Sequence, residues 1–216
     1  MIGVYASVPI ASFRKGLARE YLETERLPPP STCYGFLLSL VGETDRRRHQ
    51  GCRVAPALLG HPETSVVLRT VWRVKKAPLG SPGNTRPDFQ QLLTDVHVVI
   101  WLDSSGEAGD GLEGRVRLAL EKPSEIRRFG GLSLGESTHL VNEVFLLDDQ
   151  RIRHLASSGL DRCLLLKTAE QGRVSLPVWV DHVGASGTRY VTGDLVAGNL
   201  VPPELTEMPV IRSSAA

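Results

Sequence analysis

The sequence predicts an α+β fold of the ferredoxin-like type, with two helices on one face of a four-stranded antiparallel sheet in the order β-α-β-β-α-β. Three observations predict it. Four segments alternate apolar and polar residues at the period of a strand, two carry apolar residues at the period of a helix, and Pro- or Gly-containing breaks separate them in that order.

The first strand is Ile2, Val4, Ala6 and Val8, which alternate. Pro28, Pro29 and Pro30 then hold an extended backbone into Ser31, which is placed to cap a helix over about 32–41. Phe36, Leu37, Leu40 and Val41 share one of its faces, and Gly42 supplies the stop. From Ser65 to Val74, Val66, Leu68, Thr70, Trp72 and Val74 occupy one face and Arg69 and Arg73 the other, a half-buried strand with a basic side. Val96, Val98, Ile100 and Leu102 make the third strand. Leu112, Val116, Ala119 and Leu120 follow at helical spacing until Pro123 ends the helix, and Leu140 to Leu147 is the fourth strand. The expected core includes Leu37, Leu40, Trp72, Ile100 and Val116.

Two segments exceed that minimal pattern. About 20 residues between the second and third strands, from Lys75 to Thr94, are far more than a hairpin needs. Their Pro and Gly content opposes regular structure, although Phe89, Leu92 and Leu93 could form a short amphipathic helix. After the fourth strand, Cys163 to Lys167, Leu176 to Val180 and Thr188 to Val191 are short and β-like. The chain therefore divides into a core over 1–148, with an insertion at about 75–94, and a small β-rich extension over 149–216 packed on it. Ser213 to Ala216 have nothing to pack and are expected to fray.

Composition narrows the function classes. At 216 residues and 41% apolar content the chain can bury a core. No apolar run approaches the roughly 20 residues that span a bilayer, and the start lacks a signal-peptide pattern, so a cytoplasmic protein without membrane contact is expected. Cys33, Cys52 and Cys163 are odd in number and lack any C-x-x-C pair, which supports neither a disulfide framework nor a zinc site; no metal and no cofactor are expected. A net charge of +1 excludes a chain that coats nucleic acid by bulk electrostatics. The basic residues nevertheless cluster: Arg46 to Arg48, then Lys75, Lys76 and Arg86, then Arg127 and Arg128. A single run reads as a solvated surface; three beside turns favour a local basic groove.

Two motifs carry chemistry. A helix N-terminus at Ser31 and Thr32, near Arg14, Lys15 and Arg19, offers unpaired N–H groups and a positive dipole end to phosphate. A capped core helix is the plainer reading. The second motif is RRFGGLSLGES at Arg127 to Ser137. Gly130, Gly131 and Gly135 permit close approach of another chain, the two arginines supply charge, and Phe129 offers a stacking surface. A tight structural turn is the alternative. The loop is neither a Walker loop nor a dinucleotide fingerprint, because no Gly-Lys-Ser/Thr follows and no parallel βαβ unit surrounds it.

Phe13-Arg14, Tyr21, Thr24, the LPPPST-x-YG-x-L run at Leu27 to Leu37, and FGGLSLGES at Phe129 to Ser137 closely resemble the fifth core CRISPR-associated family, in its DevS-type variant. That family is the RAMP-superfamily subunit of type I Cascade. The resemblance covers nearly the whole chain. It implies a subunit that binds the 5′ handle of CRISPR RNA, caps one end of the backbone filament and contacts the large subunit that reads the PAM, meeting target DNA through the complex. It also implies that the long insertion is the family's thumb; the order of elements itself leaves the second sheet face open, the face that meets nucleic acid in the RNA-recognition version of the fold. The C-terminal part carries no second glycine-loop signature, so a complete second RAMP domain is not expected.

One branch of the family cuts precursor RNA without metal, using a tyrosine, a lysine and a histidine. Tyr21, Lys15 and His139 are the nearest equivalents here, but no adjacent Lys-His pair exists, and no histidine sits in a metal or nucleophile pattern. The expectation is a non-catalytic RNA-binding scaffold, with a metal-independent endoribonuclease as the alternative and a pure protein-interaction module as a third class. Arg14, Lys15 and Arg19 are expected phosphate contacts, as are Lys75, Lys76 and Arg86 on the insertion. Phe13 and Tyr21 are expected to stack on bases or pack the loop. Ser31 and Thr32 form the handle-phosphate site, with Arg127, Arg128, Gly130, Gly131 and Ser137 lining the same groove.

Overall fold

A computed structural model describes residues 1–16, 21–72, 78, 80–109, 111–182 and 185–213. Arg19, Lys75 and Lys76 lie outside the described residues, as do the side chain of Trp72 and the last three residues. The elements are β1 (Ile2–Ala11), β2 (Tyr21–Leu22), α1 (Pro30–Leu40), β3 (Arg53–Leu59), β4 (Glu63–Trp72), β5 (Thr85–Asp103), α2 (Leu112–Glu121), β6 (Glu143–Leu146), α3 (Asp149–Ser157), β7 (Arg162–Thr168), β8 (Val174–Trp179) and β9 (Arg189–Asn199). One sheet runs β6-β1-β5-β3-β7-β9-β8, with β2 and β4 also pairing with β5.

The alternating residues of β1 and of the inner half of β5 are buried as expected, and they pack with Leu37, Leu40 and Val116 of the two helices into the main core. The opposite face is not open. Tyr5, Ala57, Leu59, Val99 and Trp101 are covered there by Leu155 of α3 and by Leu200 and Met208. The residues after β6 therefore seal the face that the minimal fold would expose, and β7 extends the same sheet by pairing with β3.

β3 was not expected, and the strand expected at 65–74 does not occupy its place. Residues 97–103 of β5 pair with β3, whereas β4 pairs with residues 85–94. Pro56 is tolerated inside the sheet because it falls just outside the three residues that pair with β7. The second half of this 20-residue segment, 85–94, is thus strand. DFQQLLT belongs to β5 rather than to an amphipathic helix, and β4 with the outer half of β5 forms a long ribbon. Asp95, at φ 55°, marks the junction of ribbon and core, and its carboxylate lies 3.0 Å from His97 Nε2.

The ribbon's faces are inverted relative to expectation. Val66 and Leu68 are 48% and 64% exposed, while Arg69, on the opposite face, bonds into the molecule. The fourth strand is shorter than predicted, at Glu143–Leu146. Ser213 is not loose, because its N–H and its hydroxyl both bond Gln50 Oε1 at 2.8 Å.

α1 begins one residue before Ser31. Pro30 occupies the first turn, Pro29 is the extended cap residue, and no side chain caps the helix, so Ser31 is a helical residue and not a cap. The other end closes as the glycine predicts: Gly42 N–H donates to Ser39 O at 3.2 Å and Glu43 N–H to Leu38 O at 2.9 Å, with Gly42 at φ 67°. A Cβ on Gly42 would collide with the Arg127 carbonyl, so this glycine also brings the second motif against α1.

Candidate nucleic-acid interface

A surface cavity of about 540 Å³ runs along α1. Ser31, Thr32, Gly35 and Ser39 form its floor, Phe129, Ser133 and Gly135 one wall, and Arg46, Val180 and His182 the other. Parts of both sequence motifs meet here, although Arg127, Arg128, Gly130, Gly131 and Ser137, expected to line the same groove, lie beside the cavity lining and not in it. The second of these walls is not one the sequence predicts. Arg46 reads as part of a solvated run, yet its guanidinium lies 4.4 Å over the Trp179 ring and donates to Val180 O at 2.8 Å. Nothing local in the sequence announces that pairing across 133 positions of chain.

The glycine segment is a small hairpin. Leu134 N–H donates to His139 O at 3.1 Å and Val141 N–H to Leu132 O at 2.9 Å, which places Gly135 to Thr138 at its tip. Gly130 and Gly135 have positive φ. His139 is buried beneath the tip, where its Nδ1 accepts from Ser12 N–H at 3.2 Å and Glu136 N–H at 3.1 Å. Burial holds its pKa below the usual imidazole range, with Glu136 opposing weakly, so the ring is a neutral acceptor that pins the hairpin to the end of β1.

Beside this anchor, the RNA-facing candidates remain unengaged. Phe129 is 75% exposed, with Arg127 Cζ 6.0 Å from its ring centre. Arg128 makes no ion pair among the described residues, and the N–H groups of Gly130 and Gly131 donate to no acceptor among them. Ser137 is exposed at the tip.

The remaining candidates lie elsewhere. Phe13 is 2% exposed and its N–H donates to Thr24 Oγ1 at 2.8 Å, so it packs the core and cannot stack on a base. Arg14 bridges to Thr24 and Lys15 faces Glu23 at 3.8 Å; neither lines the cavity. Tyr21 is exposed on the ribbon, its ring 6.4 Å from Phe89, and Arg86 pairs with buried Asp88 at 2.7 Å. The ribbon is tied to the hairpin at its base. Gln90 Nε2 donates to Glu136 Oε1 at 2.8 Å, and Arg69 bonds both Gln90 and Glu136.

Glu43, which also lines the cavity, accepts from Thr44 and Asp45 N–H at 3.0 and 2.9 Å and from Arg115 at 2.6 Å. The Asp45 N–H, then Arg115, hold its carboxyl down at about 2. The same Arg115 donates to His49 Nε2 at 2.7 Å, and His49 Nδ1 lies 2.6 Å from Glu107, closing a buried chain between α1 and α2. Among the described residues no cluster of His, Cys, Asp and Glu suited to a metal occurs, and no helix is long and apolar enough to cross a membrane. Cys33, Cys52 and Cys163 are buried free thiols.

A CRISPR-associated protein Cas5 of Myxococcus xanthus (strain DK1622) is 51% identical to this chain over 215 residues, covering 98% of this chain and 97% of its own. The chain belongs to the Cas5 family. No family model matches it. Two solved structures share the fold of this Cas5-family chain: one titled as a CRISPR RNA-guided surveillance complex, with TM-score 0.59 and 14% identity over 91% of this chain and 90% of its own, and one titled as a Cas protein, with TM-score 0.51 and 16% identity over 93% and 95%.

Proposed function

We propose that this protein is the non-catalytic RNA-binding subunit of a type I Cascade, holding the 5′ handle of CRISPR RNA. The observation that carries the reading is the hairpin beside α1: in one place it gathers two glycine N–H groups without acceptors and two arginines without an ion pair among the described residues, one of them, Arg127, set over the exposed ring of Phe129. N–H groups and guanidiniums suit phosphate, and an exposed ring suits a splayed base. Family membership and the fold of a surveillance-complex component support the same reading.

In this account β6-β1-β5-β3, with α1 and α2 on one face, is a ferredoxin-like core within 1–148, and 149–216 is its extension. The ribbon of β4 and β5 is the thumb and meets the backbone subunit; the large subunit and, through the complex, target DNA are the remaining partners. Cleavage finds no support in the geometry. His139, the histidine of the nearest catalytic equivalents, is buried with its Nδ1 already accepting two backbone donors.

The test is Arg128→Ala. Against single-stranded repeat RNA it is expected to weaken binding and lower the slope of log affinity against log salt by about 0.7, the share of one phosphate contact, with thermal unfolding unchanged. An unaltered slope would remove Arg128 from the RNA site.

A further inference from the structure

A second cleft, of about 500 Å³, lies where the end of β3, the start of β7 and the middle of β5 meet. Its floor is apolar: Leu58 and Leu93 are buried and Leu164 is half-buried. Its rim is basic, formed by Arg26, His61 and Arg162, all exposed. Neither arginine makes an ion pair or a side-chain hydrogen bond among the described residues, and no carboxylate lines the cleft. The rim is fixed in place, because Gly60, at φ 63°, donates its N–H to Arg162 O at 3.1 Å and so ties the turn after β3 to the start of β7. Cationic groups left unpaired above an apolar floor match a nucleotide, whose base is flat and poorly hydrated and whose phosphate is anionic.

The position fits as well. Arg26 is five residues before Ser31, so this rim and the floor of the α1 cavity are separated by at most about 18 Å of chain. A single strand held at the glycine hairpin needs only a few nucleotides to reach it.

We propose that this cleft is a second nucleotide subsite for the same single-stranded RNA, taking a base against Leu58, Leu93 and Leu164 and its phosphate between Arg26 and Arg162. The inference rests on the RNA-binding reading and adds a site to it. Charge complementarity selects RNA over a protein segment, because among the described residues the cleft offers positive charge without a carboxylate to pair with a mixed-charge surface.

The experiment uses the full chain and a fluorescently labelled single-stranded repeat RNA, with anisotropy measured across a salt series. The variant is Arg26→Ala with Arg162→Ala, both on exposed side chains, and its thermal unfolding is expected to match the parent's. Weaker binding, with a salt slope reduced by about 0.7 for one phosphate, supports the subsite, and adding Arg128→Ala should reduce the slope by a similar further amount. Photocrosslinking of 4-thiouridine RNA to the peptide spanning 58–64 is the second expected result. If the intact protein binds RNA and the double variant binds it with the same affinity and slope, the subsite is wrong while the hairpin site stands. If the intact protein binds no RNA, the functional reading fails and takes the subsite with it. If the double variant keeps its RNA affinity but no longer joins the other Cascade subunits, the cleft is a protein interface and the proposal is overturned.

Discussion

His139 joins two distant segments through one buried ring. Its ring accepts two backbone N–H groups from different segments, Ser12 at the end of β1 and Glu136 at the hairpin tip. Removing the ring strands both donors beneath the hairpin, and a buried donor without a partner costs about 1–3 kcal/mol. His139→Ala is therefore expected to lower unfolding free energy by about 2–4 kcal/mol, read by denaturant titration, and to weaken RNA binding only through the loosened hairpin. In the same preparations, repeat RNA incubated with chelator should remain intact for the parent and the variant alike. Discrete products from the parent that vanish in the variant would instead assign the ring a chemical role. Glycines act here by omission: Gly42 and Gly135 let backbone from other segments approach where a Cβ would strike Arg127 O or Ser12 O.

At the scale of elements, the closure of α1 is electrostatic as much as geometric. Glu43 follows the glycine stop and gathers two backbone N–H groups with Arg115 of α2 and Arg48. Its folded pKa, about 2, lies below the ordinary carboxylate value of 4.5, so the ionised form is favoured by folding. The stability this confers is fully present above about pH 4.5 and is lost as pH falls toward 2. Glu43→Gln should accordingly lower the thermal midpoint at neutral pH, and its gap from the parent should narrow across that acid window; a constant gap would show that the carboxylate's charge is not what matters. The elements legible in the sequence were those with a clean apolar period: β1, the inner half of β5, α2 and the proline-led α1. β3 was illegible because RVAPALL is nearly all apolar, buried on both faces and broken by Pro56. The outer half of β5 was illegible because its pattern is reversed, with Asp88 and Gln90 buried on polar partners and Phe89 exposed. The site was half legible for the same reason. Motifs contiguous in sequence were readable, whereas Arg46 on Trp179 exists only through tertiary pairing.

For the whole molecule, the decisive feature is that β5 serves two structures, its inner half in the core sheet and its outer half with β4 in the ribbon. An excision from Lys76 to Gln91, which a loop reading would favour, removes β4's partner and cannot leave the fold intact. The ribbon must be shortened in register. Arg69↔Asp88 is the pair to close on, because Pro87, opposite Thr70, has no N–H to complete a turn-flanking pair. Replacing Thr70 to Pro87 by Asn-Gly, with Asp88→Thr because its partner Arg86 is lost, keeps Leu68 opposite Phe89, Tyr21 beside Phe89, and the ties of Arg69 and Gln90 to Glu136. The core and the α1 cavity are untouched, so the shortened protein should unfold near the parent's midpoint and bind repeat RNA at the hairpin. The deleted residues include Lys75, Lys76 and Arg86, and with them goes the surface that the thumb reading gives to the backbone subunit. Reconstitution followed by size exclusion and native mass measurement is expected to show no full complex. A shortened protein that still enters the complex would reduce the ribbon to an ornament of the sheet and leave the hairpin to carry the protein's role in assembly.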